Sequence, residues 1–205
     1  MLVATRNPAK GAELNGIVAR LGLTTITLDA IELPASTDED QIEVHDTFVA
    51  NALAKARYYH TRSGGWPTVA DDSGLEVEAL GGAPGVHSRR WSGATGDEDS
   101  VSAANNAALL ARLSGVADRR ARFVCALGYV DASCEFACVG TVAGSIAREG
   151  RGAGGFGYDT LFVPDELAGR TFGEVSPAEK AAVSHRGRAL LAFAHELRRR
   201  LRAGH

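Results

Sequence analysis

The stretch Met1–Gly16, MLVATRNPAKGAELNG, decides how the fold begins. Leu2-Val3-Ala4 is a short apolar run of strand character. Asn7 followed by Pro8 reads as an N-cap and a first helical residue: an asparagine side chain can accept from a free amide, and proline fixes φ near the helical value. Leu14, Ile17, Val18 and Leu21 follow at helical spacing. The order is therefore strand, tight turn, helix. Yet Arg6 and Lys10 put positive charge at the helix N-terminus, where the macrodipole is already positive and acidic residues are favoured. The arrangement asks for an anion.

Outward from that start, Thr24 to Leu28 alternates weakly as a strand, and Asp38 to Glu43 is an acidic loop. A second helix is expected from Thr47 to Tyr59, with Phe48, Ala52, Leu53, Ala56 and Tyr59 on one side. Thr68-Val69-Ala70 is strand-like and ends in Asp71-Asp72-Ser73-Gly74. Leu75, Val77 and Ala79 then alternate with Glu76 and Glu78, the pattern of a half-exposed strand. A helix follows from Glu98 to Leu113. Ala121 to Val130 is apolar on both faces, which predicts a central strand, with Glu135 to Ile146 as its neighbour. Tyr158 to Val163 reads as another strand. Ser176-Pro177-Ala178-Glu179 is a capping box with proline at the first helical position. The last helix starts near Ser184, with Leu190, Ala194, Leu197 and Leu201 as its buried stripe. Strands and helices alternate early and strands cluster in the middle, which predicts an α/β fold with a mixed sheet.

Composition bounds the function. The chain has 205 residues, 45% of them hydrophobic and 23% charged, as in an ordinary globular protein, and its length suits one domain of residues 1–205. A net charge of -3 gives no electrostatic basis for nucleic-acid binding. The run Arg198-Arg199-Arg200-Leu201-Arg202 closes a helix and complements its dipole there. Cys125, Cys134 and Cys138 include no CxxC pair, so they read as buried free thiols in a reducing compartment rather than a zinc site. The N-terminal apolar run is too short for a signal peptide, and no stretch is long enough to span a membrane. The expected location is the cytoplasm.

Basic residues recur at helix N-termini: Arg6 and Lys10, Lys180 after the Ser176 cap, and His185 with Arg186 after Ser184. Each alone is read most simply as a side chain reaching solvent. Together they suggest cations and helix N-termini aimed at a polyanion such as a nucleotide's phosphates. Asp71 and Asp72 sit at an expected strand end, where adjacent side chains point to opposite faces. They suit Mg²⁺, which takes a few carboxylates plus substrate phosphates; an Asp-Ser-Gly turn is the simpler alternative. Glu43 is a further metal ligand or part of a solvated loop, and Lys55 a phosphate contact or an exposed lysine. Gly152, Gly154 and Gly157 match G-x-G-x-x-G, but a strand-like segment follows instead of a helix, which excludes the dinucleotide fingerprint. In that loop Phe156 could stack on a base and Asp159 accept from base N–H groups; a hairpin loop returning one phenylalanine to the core is the alternative.

Taken in order, these segments resemble the inosine triphosphate pyrophosphatase family, also called XTP/dITP diphosphatases. Thr5-Arg6-Asn7-Pro8-Ala9-Lys10 matches T/S-x-N-x-x-K, and Asn51-Ala52-Leu53-Ala54-Lys55-Ala56 matches N-A-x-x-K-A. Ala70-Asp71-Asp72-Ser73-Gly74-Leu75 and Gly81-Gly82-Ala83-Pro84-Gly85 match A-D-D-S-G-L and G-G-x-P-G. Gly154-Gly155-Phe156-Gly157-Tyr158-Asp159 and Glu179-Lys180 through Ser184-His185-Arg186 match G-G-F-G-Y-D and E-K…S-H-R. The departures are Thr160, where the family usually has proline, and Ile42, where some relatives carry a second acidic residue.

The resemblance implies an elongated central sheet flanked by helices, two lobes around a nucleotide cleft, and a homodimer. It implies hydrolysis of ITP, dITP or XTP to the monophosphate and pyrophosphate, with Mg²⁺. Thr5, Arg6, Asn7, Pro8, Ala9 and Lys10 would cradle the triphosphate, with Lys55 a further phosphate contact and Ser73 a further substrate-binding residue. Asp72 would be the catalytic carboxylate and a metal ligand, with Glu43 helping. Phe156, Gly157 and Tyr158 would form the base-binding turn, and Asp159, Lys180, His185 and Arg186 would read the base edge. A pyrophosphatase for modified pyrimidine nucleotides and a non-catalytic nucleotide sensor are the competing expectations.

Overall fold

The computed structural model describes residues 1–20 and 22–203; for residues 16, 17, 19, 20, 40 and 203 only the backbone is described. The side chain of Ile17 and all of Leu21, read above into the first helix, lie outside the described residues. The elements are β1 (Leu2–Val3), α1 (Pro8–Arg20), β2 (Ile26–Thr27), α2 (Phe48–Arg62) and β3 (Thr68–Val77). There follow α3 (Glu98–Arg112), β4 (Arg120–Val130), β5 (Glu135–Ile146), β6 (Phe162–Pro164), α4 (Pro177–Val183) and α5 (His185–Ala203). The strands form one six-stranded sheet in the order β2-β1-β3-β4-β5-β6. Strand β1 runs parallel to β2 and β3, whereas β5 and β6 are antiparallel. The fold is thus α/β with a mixed sheet. Strand β4 is buried on both faces from Phe123 onward, so both faces of the sheet are covered there.

The chain divides into two compact units. Unit 1 comprises Met1–Asp72, Cys125–Gly140 and the segment from His185; unit 2 comprises Ser73–Val124 and Thr141–Ser184. In unit 1, Leu2, Ala4, Leu28, Ala56, Tyr59, Ala70 and Val130 make a shared core. There α1 packs on α5, and Phe193 of α5 stacks on Phe136 with ring centroids 5.6 Å apart. In unit 2, Leu75, Val77, Leu109, Phe123, Val142, Phe162 and Phe172 cluster, and Phe123 meets Phe162 edge-on at 4.6 Å. Cys125 is buried, Cys134 and Cys138 are half-buried, and all are free thiols. Among the described residues no helix is long and apolar enough to cross a membrane.

Several local expectations are corrected. Asp71 and Asp72 do not end a strand: β3 continues through Ser73 and Gly74 for ten residues, so the pair lies mid-strand. The Asp-Ser-Gly turn signal is overridden by tertiary pairing, as local preference often is in a sheet. The acidic segment is not a bare loop. Ser36 and Glu39 form a capping box that winds Thr37–Gln41 into a 3₁₀ turn. Tyr158 to Leu161 is a tight turn rather than a strand, with the Leu161 amide donating to the Tyr158 carbonyl at 2.9 Å. Ala79 leaves the alternation in a 3₁₀ turn, Glu78–Leu80. In α5 the buried stripe is Ala189, Leu190, Phe193 and Ala194, while Leu201 is 60% exposed, because the apolar periodicity outruns the surface it packs on.

Close backbone approach places the helices that carry charged side chains. A Cβ on Gly128 of β4 would lie 2.6 Å from the Ala52 carbonyl of α2, and one on Gly140 of β5 would lie 2.2 Å from the His185 carbonyl of α5. Alanine at either position must push a helix off the sheet. Gly128→Ala and Gly140→Ala are expected to lose about 1–3 kcal/mol of stability in urea titrations. Gly150→Ala, whose nearest neighbour would be 3.7 Å away, is expected to stay within about 0.5 kcal/mol.

Candidate active site

In unit 1 the turn from Thr5 to Lys10 is built by capping. The Asn7 amide donates to Thr5 Oγ1 at 3.2 Å, and the Lys10 amide donates to Asn7 Oδ1 at 3.0 Å. Asn7 thus caps α1, with Pro8 first in the helix and Ala9 next. The cap sets Lys10 in the first turn, where its ammonium lies 3.2 Å from Asp71 Oδ2. Arg6 goes elsewhere: it grips Glu39 through Nε and Nη2 at 3.2 and 3.0 Å and lies over the Tyr59 ring.

The adjacent aspartates of β3 point to opposite faces, as strand geometry requires. Asp71 has no exposed surface. It receives Lys10 from α1 and Arg186 from α5, the latter at 3.7 Å. Arg186 is also paired with Glu13 of α1. Burial pushes the Asp71 carboxyl up, but Lys10, Lys55 and Arg186 together hold it well below the usual carboxylate range.

Asp72 faces α2. Asn51 of that helix donates to Asp72 Oδ2 at 2.9 Å. Here burial and the nearby Glu43 carboxylate outweigh Lys10 and the Asn51 bond, and the Asp72 carboxyl is pushed up to about 6. One helical turn beyond Asn51, the Lys55 ammonium donates to Glu43 Oε1 at 2.7 Å and to the Asp71 carbonyl at 3.2 Å. Burial works against the Lys55 charge, but Glu43 and then Asp71 more than offset it, so its pKa is raised. Glu43 is held below the usual range by Lys55 and then Lys10, against the cost of burial.

Unit 2 carries a second arrangement. Gly155 takes a φ of +77°, and a Cβ there would lie 2.2 Å from Asp159 Oδ2. Only glycine lets the Asp159 carboxylate fold back over the turn. That carboxylate accepts from the Phe156 amide at 2.8 Å and from the Lys180 ammonium at 2.7 Å. Lys180, buried in α4, also sits 4.7 Å above the Phe156 ring. The Gly157 amide donates to Ser102 Oγ at 3.2 Å, and its carbonyl accepts from Asn106 Nδ2 at 3.0 Å. Tyr158 turns inward, donating to the Ser88 carbonyl at 2.8 Å. Thr160 Oγ1 lies 3.5 Å from Asn106 Nδ2.

Unit 1 therefore gathers Lys10, Lys55, Glu43, Asp71, Asp72 and Arg186, and unit 2 gathers Phe156, Gly157, Asp159 and Lys180. Arg6 is committed to Glu39 and Tyr158 to the core. Ser73 is half-buried in β3, and His185 is buried as the first residue of α5. Sequence reasoning gave no role to Asn51, Glu13, Glu39, Ser102 or Asn106. Asn51 carried a signal, a polar residue on the buried side of a helix otherwise lined by Phe48, Ala52, Ala56 and Tyr59; the others carried none.

Among the described residues no group of three or more His, Cys, Asp or Glu side chains forms a self-contained metal cage. Glu43 and Asp72 still fit Mg²⁺ in donor chemistry. Both supply hard oxygen donors, and Mg²⁺ is held by one or two carboxylates with substrate phosphates completing its shell. The raised Asp72 pKa has the sign that a nearby cation would relieve.

Comparison with known proteins assigns the family. The family model described as the Ham1 family matches residues 1–196. The dITP/XTP pyrophosphatase of Mycolicibacterium paratuberculosis is 53% identical over 192 residues, covering 93% of this chain and 91% of that protein. The dITP/XTP pyrophosphatase of Mycobacterium tuberculosis is 50% identical over 206 residues, covering 97% and 95%. A HAM1 protein from Coxiella burnetii superposes with a TM-score of 0.81 at 35% identity, covering 97% of this chain and 98% of that one. This chain belongs to the Ham1 family.

The raised Asp72 pKa predicts a cost of function. The folded protein binds the Asp72 proton more tightly than the unfolded chain, so this stabilisation is fully present below pH 3.8 and is lost as pH rises through about 6. Ionised Asp72 at pH 7 is then worth about 3 kcal/mol of destabilisation without metal. Asp72→Asn is expected to be more stable than the parent by about 1–3 kcal/mol at pH 7 in EDTA. The gap should close towards pH 4. Paired urea titrations at pH 4 and 7 check this.

Proposed function

We propose that this protein hydrolyses deaminated purine nucleoside triphosphates (ITP, dITP and XTP) to the monophosphate and pyrophosphate, with Mg²⁺. The observation that carries the reading is the unit 1 set: Asp72, its carboxyl pushed up by burial and by Glu43, with the Lys10 and Lys55 ammonium groups and a capped helix N-terminus nearby. The dITP/XTP pyrophosphatases named above, alike over nearly their whole length, support the same substrate class.

In-line attack of water on the α-phosphorus needs little covalent chemistry from the protein; positioning and charge neutralisation do most of it. Lys10 and Lys55 supply charge to the phosphates, and the Thr5–Lys10 turn supplies backbone donors at the start of α1. Asp72 and Glu43 would hold Mg²⁺, which would supply charge neutralisation for the phosphates and a lowered pKa for water when bound. Asp72 is the carboxylate we assign to accept the proton of the attacking water.

The unit 2 turn takes the base. Phe156 offers a ring face, and Asp159 and Lys180 offer an acceptor and a donor already fixed against each other. The Arg186 guanidinium is engaged within unit 1 by Glu13 and Asp71. A donor facing the base's 6-position donates to a keto oxygen and leaves an amino group unpaired. Sites built this way can reject the wrong group by up to about 10⁴-fold. A cytoplasmic location and a homodimer belong to this reading, supported by the sequence resemblance.

The test is pyrophosphate release from ITP, XTP, dITP, GTP, ATP and UTP, each with Mg²⁺ and with EDTA. Mg²⁺-dependent release from ITP or XTP, at least about 10²-fold faster than from ATP, is expected. Binding of ITP without release from any substrate would overturn the reading in favour of a sensor. Lys55→Met is expected to lower kcat/KM for ITP by about 10²-fold, and unchanged kinetics would remove Lys55 from the phosphate site.

A further inference from the structure

Asn51 has no exposed surface, and its side-chain amide is used almost to capacity. Nδ2 donates to Asp72 Oδ2 at 2.9 Å and to the His45 carbonyl at 3.2 Å, while Oδ1 accepts from the His45 amide at 2.8 Å. Both backbone groups of His45 are therefore tied to the same side chain that holds Asp72. His45 lies two residues after Glu43. Only one orientation of the amide fits, because donors must face the carboxylate and the carbonyl and the oxygen must face the His45 N–H. One turn on, Lys55 repeats the link, joining Glu43 to the Asp71 carbonyl of β3. Helix α2 thus clamps the Glu43 segment to the strand that bears Asp72.

We propose that Asn51 is a positioning residue that fixes the separation of Glu43 and Asp72, and so sets the affinity of this site for Mg²⁺. The proposal rests on the reading of Glu43 and Asp72 as the metal-holding carboxylates. The chemistry requires asparagine. Aspartate would turn an acceptor towards Asp72 and the His45 carbonyl, glutamine would overreach by a methylene, and leucine would keep the volume while leaving all these partners unpaired. Partners that orient metal ligands from behind change metal affinity by about 10–100-fold when removed. The effect should appear in metal binding more than in substrate KM at saturating metal, because Asn51 acts on the ligands and not on the nucleotide.

The test is a Mn²⁺ titration followed by electron paramagnetic resonance, with α,β-methylene ITP present, on the parent, Asn51→Leu, Asn51→Ala, Glu43→Gln and Asp72→Asn. Asn51→Leu is expected to weaken Mn²⁺ binding at least about tenfold. Asn51→Ala should weaken it less, since water can enter the space and bridge. The Mg²⁺ concentration for half-maximal ITP turnover should rise by the same factor, with KM for ITP at saturating Mg²⁺ within about twofold of the parent and ITP-over-ATP preference kept. If Asn51→Leu, folded by circular dichroism, binds Mn²⁺ as the parent does while Glu43→Gln and Asp72→Asn do not, the positioning role falls and the metal reading stands. A parent that binds no Mn²⁺ sinks both. Hydrogen exchange on the parent tests the lock without any variant: the His45 amide should be protected before metal is added. Free exchange of that amide would overturn the proposal.

Discussion

Asp71 is an ionised carboxylate with no exposed surface, held between Lys10 of α1 and Arg186 of α5. Burying such a charge alone would cost several kcal/mol, and the offset must come from close, well-placed cations. Because the cations arrive from two helices that pack on each other, one strand residue determines where both helices begin. Glu13, pairing with Arg186 across the same contact, balances the second cation. The Asn7 cap and the Pro8 start of α1 then have a tertiary purpose: they deliver Lys10 to a carboxylate that must have it.

One residue along β3 the balance reverses. Asp72 gains an amide hydrogen bond from Asn51 but has Glu43 for a neighbour, and its carboxyl is pushed up to about 6. Strand geometry makes the contrast possible, since adjacent side chains meet different helices on opposite faces. The first carboxylate is held ionised by the cations around it and anchors structure. The second, buried beside another carboxylate, holds its proton more tightly than an ordinary aspartate.

The larger elements were legible because local signals and burial agree there. The capping boxes at Ser176 and the proline at Pro177 start α4 where expected, and the unbroken apolar run marked β4 as internal. The aspartate pair was misplaced because its turn chemistry is real but outweighed by sheet pairing. Lys55 reads from sequence as a phosphate contact or an exposed lysine; it is half-buried because Glu43, twelve residues earlier, lies against it. Glu13 and Arg186 lie 173 positions apart, and no periodicity links them. The motifs picked out several residues that the fold gathers, whereas the pairings among them exist only once the chain is folded.

Those pairings alter the answer to the question the N-terminus raises. The positive charges at the helix starts are met first by internal carboxylates: Lys10 by Asp71, Lys55 by Glu43, and Arg186 by Glu13 and Asp71. With Asp72 ionised, these carboxylates outnumber the cations that face them, and the set by itself would repel a triphosphate. A proton on Asp72 would bring the set to neutrality, and a divalent cation beside it would make it net positive. Under the proposed mechanism a proton would remove the base, so the divalent cation is the change that mechanism requires. In unit 2, by contrast, Asp159 neutralises Lys180 within the turn itself, which leaves fixed donors and acceptors without net charge. An uncharged ring suits that environment better than a polyanion does.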